Sequence, residues 1–197
     1  MSPMLRVFTA LCSLITAGAL LTGCSSTPPS DPANLCSIFQ EKDSWYVAAH
    51  RAHERYGVPI NVAMAILNEE SAFLTGPRPS QSWFLFVPYD KEGTNYGYID
   101  PLNPAWLTYV SEHGNVFTSH ENFEDVLMYV AWFMRQTRTV NEVPFTDAYN
   151  HYLNFHEGWQ GFKDRSYANK DWLLTAARRV QENADRYARQ LMTCNLY

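Results

Sequence analysis

The chain has 197 residues, 46% hydrophobic and 15% aromatic, with 15 Lys+Arg against 20 Asp+Glu for a formal net charge of −5. A mildly acidic chain with no basic cluster argues against a nucleic-acid partner, and its length suits one domain with a real core rather than two large ones. The aromatic share is high, and many aromatics fall in segments too polar to be pure core, as in surfaces that stack sugar rings or peptides.

Residues 1–23 contain no Asp or Glu and one basic residue, Arg6. Val7 to Leu21 is mostly apolar and leads into Leu21-Thr22-Gly23-Cys24. This is the layout of a secretory signal whose apolar core is too short for a comfortable membrane span. Leu-Thr-Gly-Cys resembles the bacterial lipoprotein processing site, which implies cleavage before Cys24 and lipidation of its sulfur. Ser25, rather than Asp, in the next place implies delivery to the outer membrane of a Gram-negative host, facing the periplasm. An ordinary signal peptide with an incidental Cys is the alternative. Residues 24–36 are then expected to be the lipidated Cys and a flexible tether, since Ser25 to Asn34 is Ser/Thr/Pro/Asp-rich with nothing to bury. Cys12 leaves with the signal. Cys36 and Cys194 bracket the mature domain, either joined as a disulfide in an oxidising compartment or left as two buried thiols.

The mature domain is assigned to residues 37–197. Ser37 is the expected N-cap of a helix to about Arg55, stopped by Gly57. His50 and His53 lie one turn apart on it without a matching third ligand, among Arg51 and Arg55, and read as a solvated face rather than a zinc site. Pro59 opens the next helix, where its fixed φ and missing N–H are tolerated. Leu74 to Pro104 is a long irregular stretch rich in Gly, Pro and aromatics, including Trp83, Tyr96 and Tyr98, and is read as a functional wall or lid. Asn103 or Pro104 starts a short helix to about Glu112. Ser119 is expected to cap one from His120 to Thr137 that buries Val126, Leu127, Val130, Ala131, Phe133 and Met134. Pro144 begins another, interrupted at Gly158 and Gly161, and a last helix spans Asn169 or Lys170 to Met192. No segment alternates cleanly with period two. The expected class is all-α with at most a small β-hairpin.

The Pro59 helix carries the chemistry. It reads Pro-Ile-Asn-Val-Ala-Met-Ala-Ile-Leu-Asn-Glu-Glu-Ser-Ala-Phe from Pro59 to Phe73 and is apolar on most sides. At about 100° per residue, Asn61 and Asn68 fall within roughly 20° of each other, while Glu70 falls about 180° from Asn61, in line with Ala63 and Ile66. Glu70 is therefore a carboxylate on an apolar face. Either it reaches solvent at the helix end, or burial keeps it protonated and able to donate a proton. Glu69 points to a different side and is read as a surface or supporting group.

Glu70-Ser71-x-Phe73, then Tyr96-Gly97-Tyr98, then Ala148-Tyr149-Asn150-x-Tyr152-Leu153-x-Phe155-His156-Glu157-Gly158 follow in one order. Together they resemble the lysozyme-like lytic transglycosylases of the soluble (SLT) type, in particular a lipoprotein branch, over about Ile38 to Tyr187. The resemblance implies a single lysozyme-like domain with a cleft for the glycan strands of peptidoglycan, lined by these three segments. It implies that Glu70 is the catalytic acid/base and that Ser71, Tyr96, Gly97, Tyr98, Asp100, Tyr152, Phe155, His156 and Glu157 lie along the cleft. The family cleaves the MurNAc–GlcNAc β-1,4 bond without water, leaving a 1,6-anhydro-MurNAc end, and it requires neither cofactor nor metal. Trp83 and Trp159 are candidates for sugar stacking or for core packing.

Two departures from the family pattern stand out. Asp100 holds the place of the family's Gln; it either orients sugar hydroxyls or activates water, and Pro101 and the nearby turn favour the first. Phe155 holds the place of a family Tyr whose hydroxyl lies near the acid, leaving Tyr152 and Tyr98 as candidates to supply it. Glu157 is a second acid or, preferably, a structural helix-end group. The competing functions are a muramidase on the same fold, a glycan-binding scaffold for other envelope proteins, and a zinc amidase or peptidase.

Overall fold

A computed structural model describes residues 27–75, 97–194 and 196, together with the backbone of residues 83, 84, 87 and 88. The expected signal, Cys24, Tyr96 and the side chain of Trp83 lie outside the described residues. Seven helices occur among the described residues: α1 Leu35–Glu41, α2 Asp43–Tyr56, α3 Ile60–Ser71, α4 Pro104–His113, α5 Phe123–Asn141, α6 Ala148–Lys163 and α7 Asp171–Leu191. The remaining regular structure is a two-residue antiparallel ladder, β1 Trp83–Phe84 with β2 Val87–Pro88. The class is all-α, with the small hairpin that the irregular stretch allowed.

The single helix expected from Ser37 to Arg55 is two helices. Asn34, not Ser37, caps the first, its side chain accepting from the N–H groups of Cys36 and Ser37 at 3.1 and 3.3 Å. Lys42 breaks the run at φ −125°, ψ 70°, and α2 ends at Gly57 in the left-handed region at φ 71°. The break lets α1 dock on α7 while α2 packs on α5. Asn122, rather than Ser119, caps α5, which runs to Asn141. Asp147 caps α6, which kinks at Gly158 (φ 75°) and continues through Gly161.

α3 is the central element and packs against α2, α5, α6 and α7. Val62 to Leu67 are 0–1% exposed, so this helix has almost no wet side until its last turn. Removing part of such a side chain, as in Ile66→Ala, costs ~2–5 kcal/mol because the surroundings close only partly over the gap. The polar stripe faces α7: Asn61 donates to the Ala184 carbonyl and Asn68 to the Tyr187 hydroxyl, both at 3.0 Å.

The segment expected to be a flexible tether is folded against the domain over its described part, from Thr27 onward. Pro29 is buried. Ser30 donates through its N–H and its hydroxyl to one Glu41 oxygen, both at 2.8 Å. Tyr187 donates to the Pro32 carbonyl. Arg186 and Gln190 donate to the Ala33 carbonyl at 3.1 Å each, and Leu35 N–H donates to Gln190 Oε1 at 2.9 Å. Ser/Thr/Pro/Asp composition predicts little apolar burial, but this segment is held by its backbone polar groups, which composition does not report. A disulfide joins Cys36 to Cys194, 158 residues apart with Cα atoms 5.6 Å from each other, and ties α1 to the end of α7.

Candidate active site

Glu70 lies half-buried in the last turn of α3, on the side away from Asn61 and Asn68. Tyr152 of α6 donates its phenol hydrogen bond to the Glu70 carboxylate, and the phenol of Tyr129 on α5 lies within the field of that charge. Burial first, and then the Glu70 charge, push the ionisation of both phenols well above the ordinary tyrosine range. Both therefore remain protonated donors at any physiological pH. Tyr129 hydroxyl lies 3.3 Å from Asn103 Oδ1, which links this pair to the start of α4.

Beside this pair is a hollow of about 350 Å³ between α4, α5 and α6, lined by Asn103, Pro104, Ala105, Thr108, Phe133, Phe155, His156, Glu157, Gly158 and Trp159. Asn103 and Phe155 are shared edges: Asn103 receives the Tyr129 bond, and the Phe155 ring lies 5.7 Å from that of Tyr129. Aromatic faces and a few fixed polar groups around a concave space are what a sugar ring is held by.

The other carboxylates are tied down. Glu69 forms an ion pair with Arg179 of α7, and this partner raises the arginine further above its ordinary value. Glu157 has a side chain only 4% exposed and is held by Lys170 at 2.7 and 3.0 Å, by His156 at 3.0 Å and by Ser166. Burial alone would raise it, but these donors and the Lys170 charge together hold its carboxyl below the usual range. A carboxyl held in its ionised form by such a clasp ties α6 to the start of α7. Asp100 is exposed, and its Oδ1 accepts from Leu102 N–H at 2.9 Å, so the turn with Pro101 aims it at backbone.

Several residues expected along the cleft also have partners in the scaffold. Ser71 is 3% exposed, donates to the Leu67 carbonyl at 2.9 Å and accepts from Phe73 N–H at 3.1 Å, which closes the helix end. Tyr98 is 1% exposed and packed edge-on to Trp45 and Phe123, with which it lines a second hollow near the start of α2. Tyr152, one of the two candidates for the hydroxyl beside the acid, bonds it. Gly97 is buried at φ 90°, and a Cβ there would lie 2.7 Å from the His120 carbonyl oxygen, so only glycine fits. Its N–H donates to the Thr75 carbonyl and that of Tyr98 to His120, both at 2.9 Å. Gly97 and Tyr98 thus staple the irregular stretch to the body of the domain.

Phe155, His156 and Trp159 do line the hollow. Trp159 is partly core, stacked on Phe133 at 4.9 Å and donating to Thr137 Oγ1 at 3.0 Å, and it also forms part of the hollow's wall. Sequence reasoning missed Tyr129, hidden in the apolar period of α5, and Asn103, recognised only as a possible helix start. It also missed Trp172, 58% exposed and edge-on to His156 at 4.9 Å on the rim. Its exposure beside a polar His is a tertiary fact with no local signal. Among the described residues, no group of three His, Cys, Asp or Glu side chains is placed to hold a metal ion.

A family model described as a transglycosylase SLT domain matches residues 12–194. No curated protein and no solved structure matches the chain.

Proposed function

The chain belongs to the transglycosylase SLT domain family, whose fold is lysozyme-like, and on that premise we propose that it is a lytic transglycosylase cutting the MurNAc–GlcNAc β-1,4 bond of peptidoglycan. The single observation that carries this is the Glu70 carboxylate, hydrogen-bonded by Tyr152 and felt by Tyr129, which in turn meets Asn103 and Phe155 of the aromatic hollow, while Glu69, Glu157 and Asp100 are bonded elsewhere.

One acid suffices for this reaction. Glu70 gives its proton to the bridging O4 as the C1–O4 bond breaks. Its carboxylate then takes the proton from the C6 hydroxyl of the same MurNAc as O6 bonds to C1. The proton returns to Glu70, no water is consumed, and the intramolecular attack gains from proximity. A hydrolase of the two-carboxylate kind would need a second carboxylate free to activate water or act as nucleophile. Asp100, the carboxylate that the family pattern singled out for that role, is aimed at the Leu102 amide, which favours the lyase over the muramidase. The envelope role proposed with it is that of an outer-membrane lipoprotein anchored through Cys24 and facing the periplasm.

Mass spectrometry of soluble products from purified cell wall tests the reading. Anhydro-MurNAc ends are expected, and Glu70→Gln should reduce release to background, a loss of at least ~10³-fold. Reducing ends would make the protein a muramidase. No release by the parent chain would leave glycan binding alone, and undiminished release by Glu70→Gln would remove Glu70 from the chemistry.

A further inference from the structure

We propose that residues 27–34 are a rigid mount that holds the domain close against a phospholipid bilayer, by the corner where α1 meets α2. The proposal rests on the reading of Cys24 as the lipid anchor. Three helices grip the segment: Glu41 of α1 bonds Ser30, Asn68 of α3 reaches the Pro32 carbonyl at 3.5 Å, and Arg186, Tyr187 and Gln190 of α7 bond Pro32, Ala33 and Leu35. The segment leaves the domain beside Lys42, whose Nζ is 3.3 Å from Thr27 Oγ1.

Chain length turns this into a distance. Were residues 24–34 free, the path from Cys24 to Leu35 could extend to roughly 38 Å; docked from Thr27, only the step from Cys24 to Thr27 remains, roughly 10 Å. A domain of this size is roughly 40 Å across, so the whole enzyme would work within about one diameter of the membrane. Asn68 and the mount lie on the α7 side of α3, away from Glu70. The corner itself carries Glu41, Lys42 and Asp43 and no basic excess. Anionic headgroups would not draw it in, so closeness comes from the short step to the acyl chains and should persist in high salt.

The test uses the full lipidated chain in vesicles of phosphatidylethanolamine and phosphatidylglycerol with an acceptor-labelled lipid. Donor dyes are placed by Ser44→Cys near the corner, or by Thr139→Cys at the far end of α5; both native residues are exposed. Energy transfer from position 44 should exceed that from 139 several-fold, unchanged at 0.5 M salt. Inserting twelve Gly/Ser residues between Ser26 and Thr27 should erase the difference. Intact mass separates the two ways of failing. An acylated Cys24 with equal transfer from both positions, or with a difference that survives the insertion, overturns the mount and leaves the anchor standing. A mature chain with no acyl group overturns both.

Discussion

The phenol of Tyr152 on α6 donates its hydrogen bond to the carboxylate of Glu70 on α3, from a position 82 residues further along the chain. A bond from a neutral donor to a carboxylate is worth ~1.5–3 kcal/mol, and it both aims the acid and favours its ionised form. Tyr152→Phe should therefore lower the rate of muropeptide release about 10–100-fold. It should also shift the alkaline limb of the rate profile to higher pH, because the acid holds its proton longer. Tyr129→Phe should cost less, since Tyr129 bonds Asn103 and feels Glu70 only through its charge. An unchanged rate in Tyr152→Phe would remove the phenol from the mechanism.

Glu157 gives a contrast. Its clasp with Lys170, Ser166 and His156 braces the kinked end of α6, so Glu157→Gln should keep cleavage within about tenfold of the parent. Lys170→Met leaves the enclosed carboxylate without its cation. Because Lys170 is itself well exposed, we expect a loss of ~1–2 kcal/mol in urea unfolding rather than the larger cost of breaking a fully buried pair. A folded-state carboxyl held below its ordinary value adds stability above pH ~4.5 and loses it as the pH falls through the folded value. Lys170→Met should therefore also flatten the acid end of the stability curve.

His151 predicts a second acid effect, at higher pH. It is 1% exposed on α6, and burial pushes its imidazole down to about 4, against the opposing charge of Asp147. Below pH ~6.5 the unfolded chain takes a proton that the folded chain refuses until about pH 4. Stability should thus fall across that window, by up to ~3 kcal/mol. Urea midpoints at pH 7.0 and 4.5 measure it. His151→Leu should narrow the gap between the two midpoints, and an equal gap in both proteins would refute the assignment.

Reducing the Cys36–Cys194 bond releases a loop of 158 residues. The chain-entropy argument assigns such a bond ~3–5 kcal/mol, hence a fall in Tm of about 10 °C. The Cys36→Ser/Cys194→Ser pair should show this by calorimetry and still cleave at 25 °C, since neither residue touches the Glu70 site.

The α3 helix and the side on which Glu70 lies are legible in the sequence because helical period is local: Asn61, Asn68 and Glu70 fix their relative directions within one short segment. What those sides face is not local. Ala184 and Tyr187, which receive the two asparagines, are more than 100 residues away, and so is the Arg179 that takes Glu69. Tyr129 is one apolar position among many on α5 until the fold turns its hydroxyl toward Asn103. Lys42 is a good helix former, so nothing in its identity marks the break between α1 and α2; the break exists because the two helices pack on different partners. Ser71 and Tyr98 match family motifs, but a motif match does not tell how deeply either side chain is buried or what it packs on.

The hydrogen bond from Gly97 N–H to the Thr75 carbonyl closes a neck. Thr75 and Gly97 therefore meet at one spot, fixed there by a glycine that His120 will not let grow. Chimeras that exchange the sequence between them are best cut at these two residues, where the register of the helix that ends at Ser71 is preserved.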